Sequence, residues 1–303
     1  MPDIGSEYRI ISAGAGWIDK CARGRLRFDG RDAVAFLQAL VSNDVEALAS
    51  GQGVYATYLT PQGRMITDLR IYRRDGHLIA NVPDGRGALL AEAFDKLIFS
   101  EDVTVTDLTT ATAQIGVVGA RAAEAVGRAL DLDADAVRDL PVLSTVGSDD
   151  AFVVRSDEVD VPAFDAIVAA EKRSEIIDRL TKFGALQIST ELVEALRIDA
   201  GRPLFGVDMN EETIPLEAGL LDRAISTTKG CYVGQELIIR VLHRGGGRVA
   251  KHLVRVELDP ALTSPPAPGT TVKVDGEDVA VTSAASSPST GRVVALGYRR
   301  RSH

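Results

Sequence analysis

Residues 31–41, RDAVAFLQALV, place Phe36, Leu37, Leu40 and Val41 on one stripe of a 3.6-residue period, and SND at 42–44 supplies a stop. That pattern predicts a helix. The period then shortens to two: GVYATYL, MITDLRIYRR and HLIANV are separated by the turn TPQGR at 60–64 and by Asp75-Gly76. Such runs read as three strands of an antiparallel meander. A helix over 86–98 follows, then strands near 102–107 and 113–118, with Gly119 leading into the alanine-rich helix ARAAEAVGRAL. An acidic stretch with Pro141 and GSDD at 147–150 precedes an expected strand at 151–155 and helices over about 162–182. Toward the C-terminus, SPPAPG at 264–269 and the short runs TVKV, EDVAVTSA and RVVALGY suggest a small barrel or sandwich. Helices and strands alternate without the regularity of a doubly wound sheet, so the expected class is α+β.

A chain of 303 residues exceeds the size at which one core stops growing, which points to two or three packed units. Hydrophobic residues at 45% and charged residues at 25% describe a globular protein, and an aromatic share of 5% leaves the cores to aliphatic side chains. No run approaches the roughly 20 apolar residues that span a bilayer, and the first residues are acidic where a secretory signal is basic. The expectation is a cytoplasmic protein with no membrane association. Net charge is −9 but unevenly spread: residues 131–178 hold 13 Asp and Glu against 4 Lys and Arg, whereas 240–256 hold Arg240, Arg244, Arg248, Lys251 and Arg255 with no acid.

That basic segment lacks aromatic residues to stack bases, so it reads as a solvated strand pair or a patch meeting the tail of an anionic ligand, and direct tRNA binding is disfavoured. Zinc needs clustered Cys and His; His77, His243, His252 and His303 are scattered and no C-x-x-C occurs, which disfavours a self-contained metal site. GAG at 14–16 and Gly245–Gly247 lack the remaining features of phosphate loops. Cys21 and Cys231 are the two cysteines, too few for a disulfide framework, and are expected as free thiols.

Cys231 sits in KGCYVGQE, residues 229–236. Gly230 and Gly234 permit a tight turn, and Lys229 can lower the thiol pKa. By chemistry alone the cysteine is a nucleophile, a redox thiol, a transient metal ligand or an inert packing residue; the polar neighbours Lys229, Gln235 and Glu236 weigh against the last.

The octapeptide resembles the signature of the folate-binding YgfZ family, whose relatives include proteins that help mature iron–sulfur enzymes. FLQALVSNDV (36–45), ATYLTPQGRMITDLRIYR (56–73), ALRIDAGRPLFGVDMNEETIPLEAGL (195–220) and VTSAASSPSTGRVVALGYRRR (281–301) resemble the same family in the same order. These segments are also similar to the aminomethyltransferase of the glycine cleavage system, the T-protein. The resemblance implies a ring of two intertwined α+β units and a C-terminal β-barrel, with boundaries expected at 1–110, 111–245 and 246–303, and tetrahydrofolate or a derivative bound centrally. It implies an accessory protein, adequate as a monomer, that supports assembly or repair of iron–sulfur clusters in client enzymes, tRNA-thiolating radical enzymes among them. Cys231 and Lys229 would then carry the chemistry, with Cys231 a candidate transient cluster ligand, Gly230, Tyr232, Gly234, Gln235 and Glu236 completing the motif, and Asn81, Arg197 and Glu217 lining the folate channel. The transferase pattern NAxNxxKD reads NVPDGRG at 81–87, keeping Asn81 but not the matching aspartate, and TGExGxE is missing from 147–155. The alternative is a folate-dependent aminomethyltransferase or demethylase that uses the nearby Asp84.

Overall fold

A computed structural model describes residues 3–243 and 246–300. Arg244 and Gly245 of the basic run, with Arg301 and His303, lie outside the described residues. The chain begins with α1 (Ile4–Ala13), β1 (Gly16–Asp19), β2 (Arg23–Asp29) and α2 (Ala33–Leu40), followed by the meander β3 (Gly53–Leu59), β4 (Met65–Arg74) and β5 (His77–Asp84). Then come α3 (Gly87–Asp95), β6 (Thr104–Asp107), β7 (Thr112–Val118), α4 (Ala122–Ala129), α5 (Ala134–Arg138), β8 (Thr145–Gly147), β9 (Ala151–Arg155), β10 (Ala163–Ala169) and α6 (Arg173–Phe183). The remainder is β11 (Leu186–Gln187), α7 (Thr190–Asp199), α8 (Leu221–Ala224), α9 (Gln235–His243), β12 (Lys251–Glu257), β13 (Thr271–Val274), β14 (Glu277–Ser286) and β15 (Val293–Arg300). No helix among the described residues is long and apolar enough to cross a membrane.

Two predicted elements differ. Residues 163–169, expected as helix, form the buried strand β10, pairing with β7 and β9; AFDAIVA is a short apolar run whose period does not separate strand from helix. The segment from 240, expected as a strand pair, is the end of α9 followed by β12, because QELIIRVLH keeps Leu237, Ile238 and Val241 on a helical stripe.

Three sheets result. β3-β4-β5-β2-β6 form the first, β11-β1-β7-β10-β9-β8 the second and β12-β15-β14-β13 the third. β1 precedes the first sheet in sequence yet pairs with β7 in the second, so the two sheets are intertwined. The third is antiparallel, with β12 and β13 at its edges; the ladders of the described residues do not include the pairing that would close the expected barrel.

Alternation along the strands gives each sheet two faces. In β4, Leu69 and Ile71 point into an apolar core with α2 and α3, where Phe28, Phe36 and Phe94 pack, Phe28 edge-on to Phe94 at 5.4 Å. Asp68 and Arg70 alternate with them on the opposite face. There Arg70 stands in register with Tyr55 of β3 and Asn81 of β5. One side of the first sheet is therefore polar and buried, a pattern that requires a partner surface bearing matching charge.

The third sheet is fastened to α7 by Asp208, whose side chain is fully buried. One carboxylate oxygen accepts from Arg197 Nη1 at 2.6 Å and from the Leu204 N–H at 3.0 Å. The other accepts from Thr282 Oγ1 at 2.5 Å and Ser283 Oγ at 2.7 Å. Removing this carboxylate takes from the Arg197 guanidinium its buried partner, leaving the more exposed Glu194, and takes from Thr282 and Ser283 their carboxylate acceptor. Asp208→Ala is expected to cost about 3–5 kcal/mol, measured as a lowered urea midpoint at unchanged slope.

Candidate functional site

A cavity of about 410 Å³ lies between the polar face of the first sheet, the end of β1, the loop after β9 and the loop after α7. A second cavity of about 220 Å³, against Phe152 and Ile167, has fewer ionisable groups converging on it. Strand geometry fixes the walls of the first: β1 runs out at Lys20, β2 starts at Arg23, β4 contributes Asp68 and Arg70, and β5 ends at Asp84.

Charges meet around two carboxylates of the loop that follows β9. Glu158 accepts from Lys20 Nζ at 2.7 Å, and its other oxygen lies 3.1 Å from Arg23 and 3.4 Å from Arg70. Asp157 binds Arg70 Nε at 2.6 Å and Arg223 Nη2 at 2.5 Å. Lys20 also reaches Asp165 of β10 at 2.9 Å. Burial would push the Glu158 carboxyl up, but Lys20, Arg23 and Arg70 hold it well below its ordinary range. The same contest, between burial and the guanidiniums of Arg70 and Arg223, leaves Asp157 lowered. Burial would lower Lys20, yet Asp165 and Glu158 keep it raised.

Beside this network is a pair with unused capacity. Tyr55 donates its hydroxyl to Asp68 Oδ2 at 2.7 Å, and the guanidiniums of Arg70 and Arg223 lie 4.7 and 5.2 Å from the centre of the Tyr55 ring. Burial and the Asp68 charge push the Tyr55 phenol well above 10, so it stays a donor. Asp68 is 5% exposed, and its Oδ1 is buried without a hydrogen-bond partner. A buried carboxylate oxygen with free lone pairs on a cavity wall can accept a hydrogen bond or a proton from whatever occupies the cavity.

The expected site residues separate into groups. Arg197 lines the cavity, as does Asp84. Asn81 lies beneath the wall, accepting from Arg23 Nε at 2.5 Å and donating to Gln114 at 2.7 Å, and so orients a lining residue without lining the cavity itself. Glu217 is not among the lining residues; its carbonyl accepts the N–H of Leu253 at the start of β12, and burial raises its carboxyl.

Cys231 is an exposed free thiol, also absent from the cavity lining. Its loop packs elsewhere: Gly234 adopts φ +82, and a Cβ there would stand 2.5 Å from the Thr60 carbonyl of the β3–β4 turn, so this glycine permits the contact. Tyr232 is buried in the cluster that holds Tyr55 and Phe205. Lys229 Nζ donates to the carbonyls of Gln38 and Val41 at 2.7 Å and Asn43 at 2.9 Å, all at the C-terminal end of α2. Its three protons are thereby used where a cation suits the helix dipole. Burial lowers its pKa to about 8. Gly230 has open space around it, and Gln235 and Glu236 begin α9.

The fold and site define an α+β protein built around a charged, ligand-sized cavity. Residues 1–229 match the family model of the GCVT N-terminal domain, and the chain belongs to that family. It is 30% identical over 298 residues to an aminomethyltransferase of Rubrobacter xylanophilus, covering 97% of this chain and 78% of the relative. It is 28% identical to an aminomethyltransferase of Shouchella clausii, covering 97% and 80%. The glycine cleavage system aminomethyltransferase T of Bartonella henselae has the same fold, with TM-score 0.86 at 21% identity over 98% of this chain and 81% of that one.

Two outcomes follow from these contacts. Glu158→Gln is expected to cost about 3–5 kcal/mol at pH 7, because it leaves buried cations partly unpaired. Since the folded carboxyl titrates below its ordinary 4.5, its contribution is complete above that pH and lost as pH falls through the folded value. The gap in unfolding free energy between wild type and variant therefore narrows in acid, as urea titrations from pH 7 to pH 3 measure. Lys229→Met leaves three carbonyls without their donor, costs about 1–3 kcal/mol, and raises the rate at which Cys231 reacts with a disulfide reagent as its loop loosens.

Proposed function

We propose that this chain binds a reduced folate in the central cavity and carries out folate-dependent one-carbon transfer on a small amine. The observation that carries the reading is Asp68, a buried carboxylate with one oxygen held by Tyr55 and the other free. A reduced folate combines a flat ring bearing N–H donors with an acidic tail, and the cavity offers both complements. Asp68 accepts from N–H groups, Tyr55 and Phe205 supply ring surface, and Arg86, Arg202 and Arg223 supply positive charge. The volume lies in the range of small-molecule sites. The bound folate would supply the nitrogens that carry the one-carbon unit. Asp68 would orient the amine and take up or return its proton within hydrogen-bond reach, while the Glu158 network holds the wall and keeps that carboxylate in place. The names of the relatives support this reading.

A second reading rests on Cys231. An exposed thiol outside the cavity, on a loop latched by Lys229, is available to another protein, and KGCYVGQE resembles the family that supports iron–sulfur enzymes, including those that thiolate tRNA. In that reading folate is bound but the working group faces a partner.

Tetrahydrofolate affinity is measurable through Trp17, which neighbours the lining residue Ile18 on β1. Wild type is expected to bind and to transfer the methylene of an aminomethyl donor X–CH2–NH2 to the folate nitrogens, releasing ammonia and X–H, a transfer that needs no oxidant. Asp68→Asn should lose turnover by about 100-fold or more while remaining folded, and Cys231→Ser should keep both. Absence of binding in wild type overturns the folate reading. Binding without turnover, together with Cys231-dependent rescue of iron–sulfur enzymes in cells lacking the protein, overturns the transferase in favour of the second reading.

A further inference from the structure

The cavity of about 220 Å³ shares no lining residue with the larger one. It lies where the first and second sheets meet: β2 and β5 supply Arg27, His77 and Ile79, and β9 and β10 supply Phe152, Ile167 and Val168. Ile79, Phe152 and Ile167 belong to one buried cluster, so the floor is apolar and firmly packed. A protein cavity of about 150 Å³ holds benzene, and one of about 220 Å³ therefore holds on the order of nine non-hydrogen atoms.

The polar groups of this cavity are divided by sign. In the β2–β5 ladder Arg27 stands opposite Ile79 and Asp29 opposite His77, so these side chains share the face turned away from Leu26 and Phe28. Asp29 takes Arg27 Nε at 2.8 Å and Nη2 at 2.8 Å, which leaves Arg27 Nη1 without a partner among the described residues. Arg25, deeper in the wall, is spent on neutral acceptors, Thr112 Oγ1 at 2.7 Å and the Thr109 carbonyl at 2.5 Å among them. Across from these cations the turn between β8 and β9 brings Asp149 and Asp150. Two arginines and two aspartates line the cavity, a balance that suits an occupant with no net charge.

His77 adds an acceptor on the side of the acids. Its side chain is 4% exposed, and Nδ1 lies 3.2 Å from the Asp75 carbonyl and 4.0 Å from Asp149. A carbonyl only accepts, so Nδ1 carries the proton, and Nε2 is an acceptor with no partner among the described residues. Burial and the neighbouring Arg27 lower the His77 pKa, which keeps the ring neutral at pH 7.

We propose that this cavity is a binding site for a small apolar α-amino acid, its side chain on the Ile79–Phe152–Ile167 floor, its ammonium between His77 and Asp149 and its carboxylate on Arg27. The free N–H of Arg27 gives the carboxylate a charge-assisted donor, and the imidazole and carboxylate together give an ammonium two acceptors. Because the two cavities are separate, this inference does not rest on the folate reading.

Isothermal titration with L-leucine, glycine, isoamylamine, which is leucine without its carboxylate, and isocaproate, which is leucine without its ammonium, tests the assignment. Wild type is expected to bind L-leucine saturably and each of the other three about 10- to 100-fold more weakly. Arg27→Gln should erase the advantage of leucine over isoamylamine, and Asp149→Asn its advantage over isocaproate. Ala111 lines the cavity from an exposed position, so Ala111→Phe should fill the space and abolish leucine binding with the urea midpoint unchanged. Absence of saturable leucine binding in wild type overturns the proposal. Isoamylamine or isocaproate binding as tightly as leucine also overturns it, as does leucine binding that survives Ala111→Phe or is displaced by tetrahydrofolate.

Discussion

Glu158 and Asp157 are the constraint on which this architecture depends. The first sheet presents a polar face bearing Arg70, with Arg23 at its margin, and that face is buried against the second sheet. Isolated guanidiniums in such a place would cost several kcal/mol each. Two adjacent carboxylates on one loop pair with four cations drawn from the end of β1, from β2, from β4 and from the α8 helix, and Asp165 of β10 adds a third negative charge beside Lys20. The loop from β9 to β10 is thus the keystone joining the two sheets. It joins them by charge beside the cavity, while Tyr72 and Ile79 of the first sheet pack against Phe152, Val154 and Ile167 of the second to join them by apolar contact.

That arrangement explains why some features were readable from sequence and others were not. The meander from β3 to β5 followed from period-two alternation and its turn residues, and β4 even carried an overlooked signal. Asp68 and Arg70 are charges two apart in the middle of an apolar strand, hence on one face, and a buried central strand has no solvent to receive them. Pairing Asp68 with Tyr55, thirteen positions earlier, needs the strand register, which no local pattern states. Asp157, Glu158 and Arg223 were less accessible still. The two carboxylates sit in a loop and Arg223 in the one-turn helix α8, and they acquire meaning only when sheet packing brings residues 20, 23, 70 and 223 together. β10 is ambiguous in sequence because a seven-residue run with six apolar positions fits either period.

Lys229 illustrates how a motif can be found and its parts still need geometry. Its neighbourhood in sequence suggests electrostatic tuning of the thiol two residues on. In the fold its ammonium is surrounded by carbonyls from residues 38–43, and the Ser226 and Val233 N–H groups bind carbonyls of the same segment, Ser42 and Ala39. The lysine acts as a cap for α2 and as a fastener for the loop at once. A motif residue that shapes a loop and one that activates a thiol carry the same sequence signature; only the direction of the side chain separates them.

The cavity and the thiol are nonetheless linked through packing. Tyr55 of the cavity wall and Tyr232 of the cysteine loop belong to one buried cluster, together with Phe205, which carries Arg86 at the cavity mouth. Packed interiors transmit displacement where a loop in solvent would absorb it, and this cluster is continuous from the cavity wall to the residue next to Cys231. Tyr232 is therefore the point at which occupation of the cavity and exposure of the thiol can be coupled. The coupling needs no wire of conserved contacts, only that ligand binding favour one packing of that cluster over another.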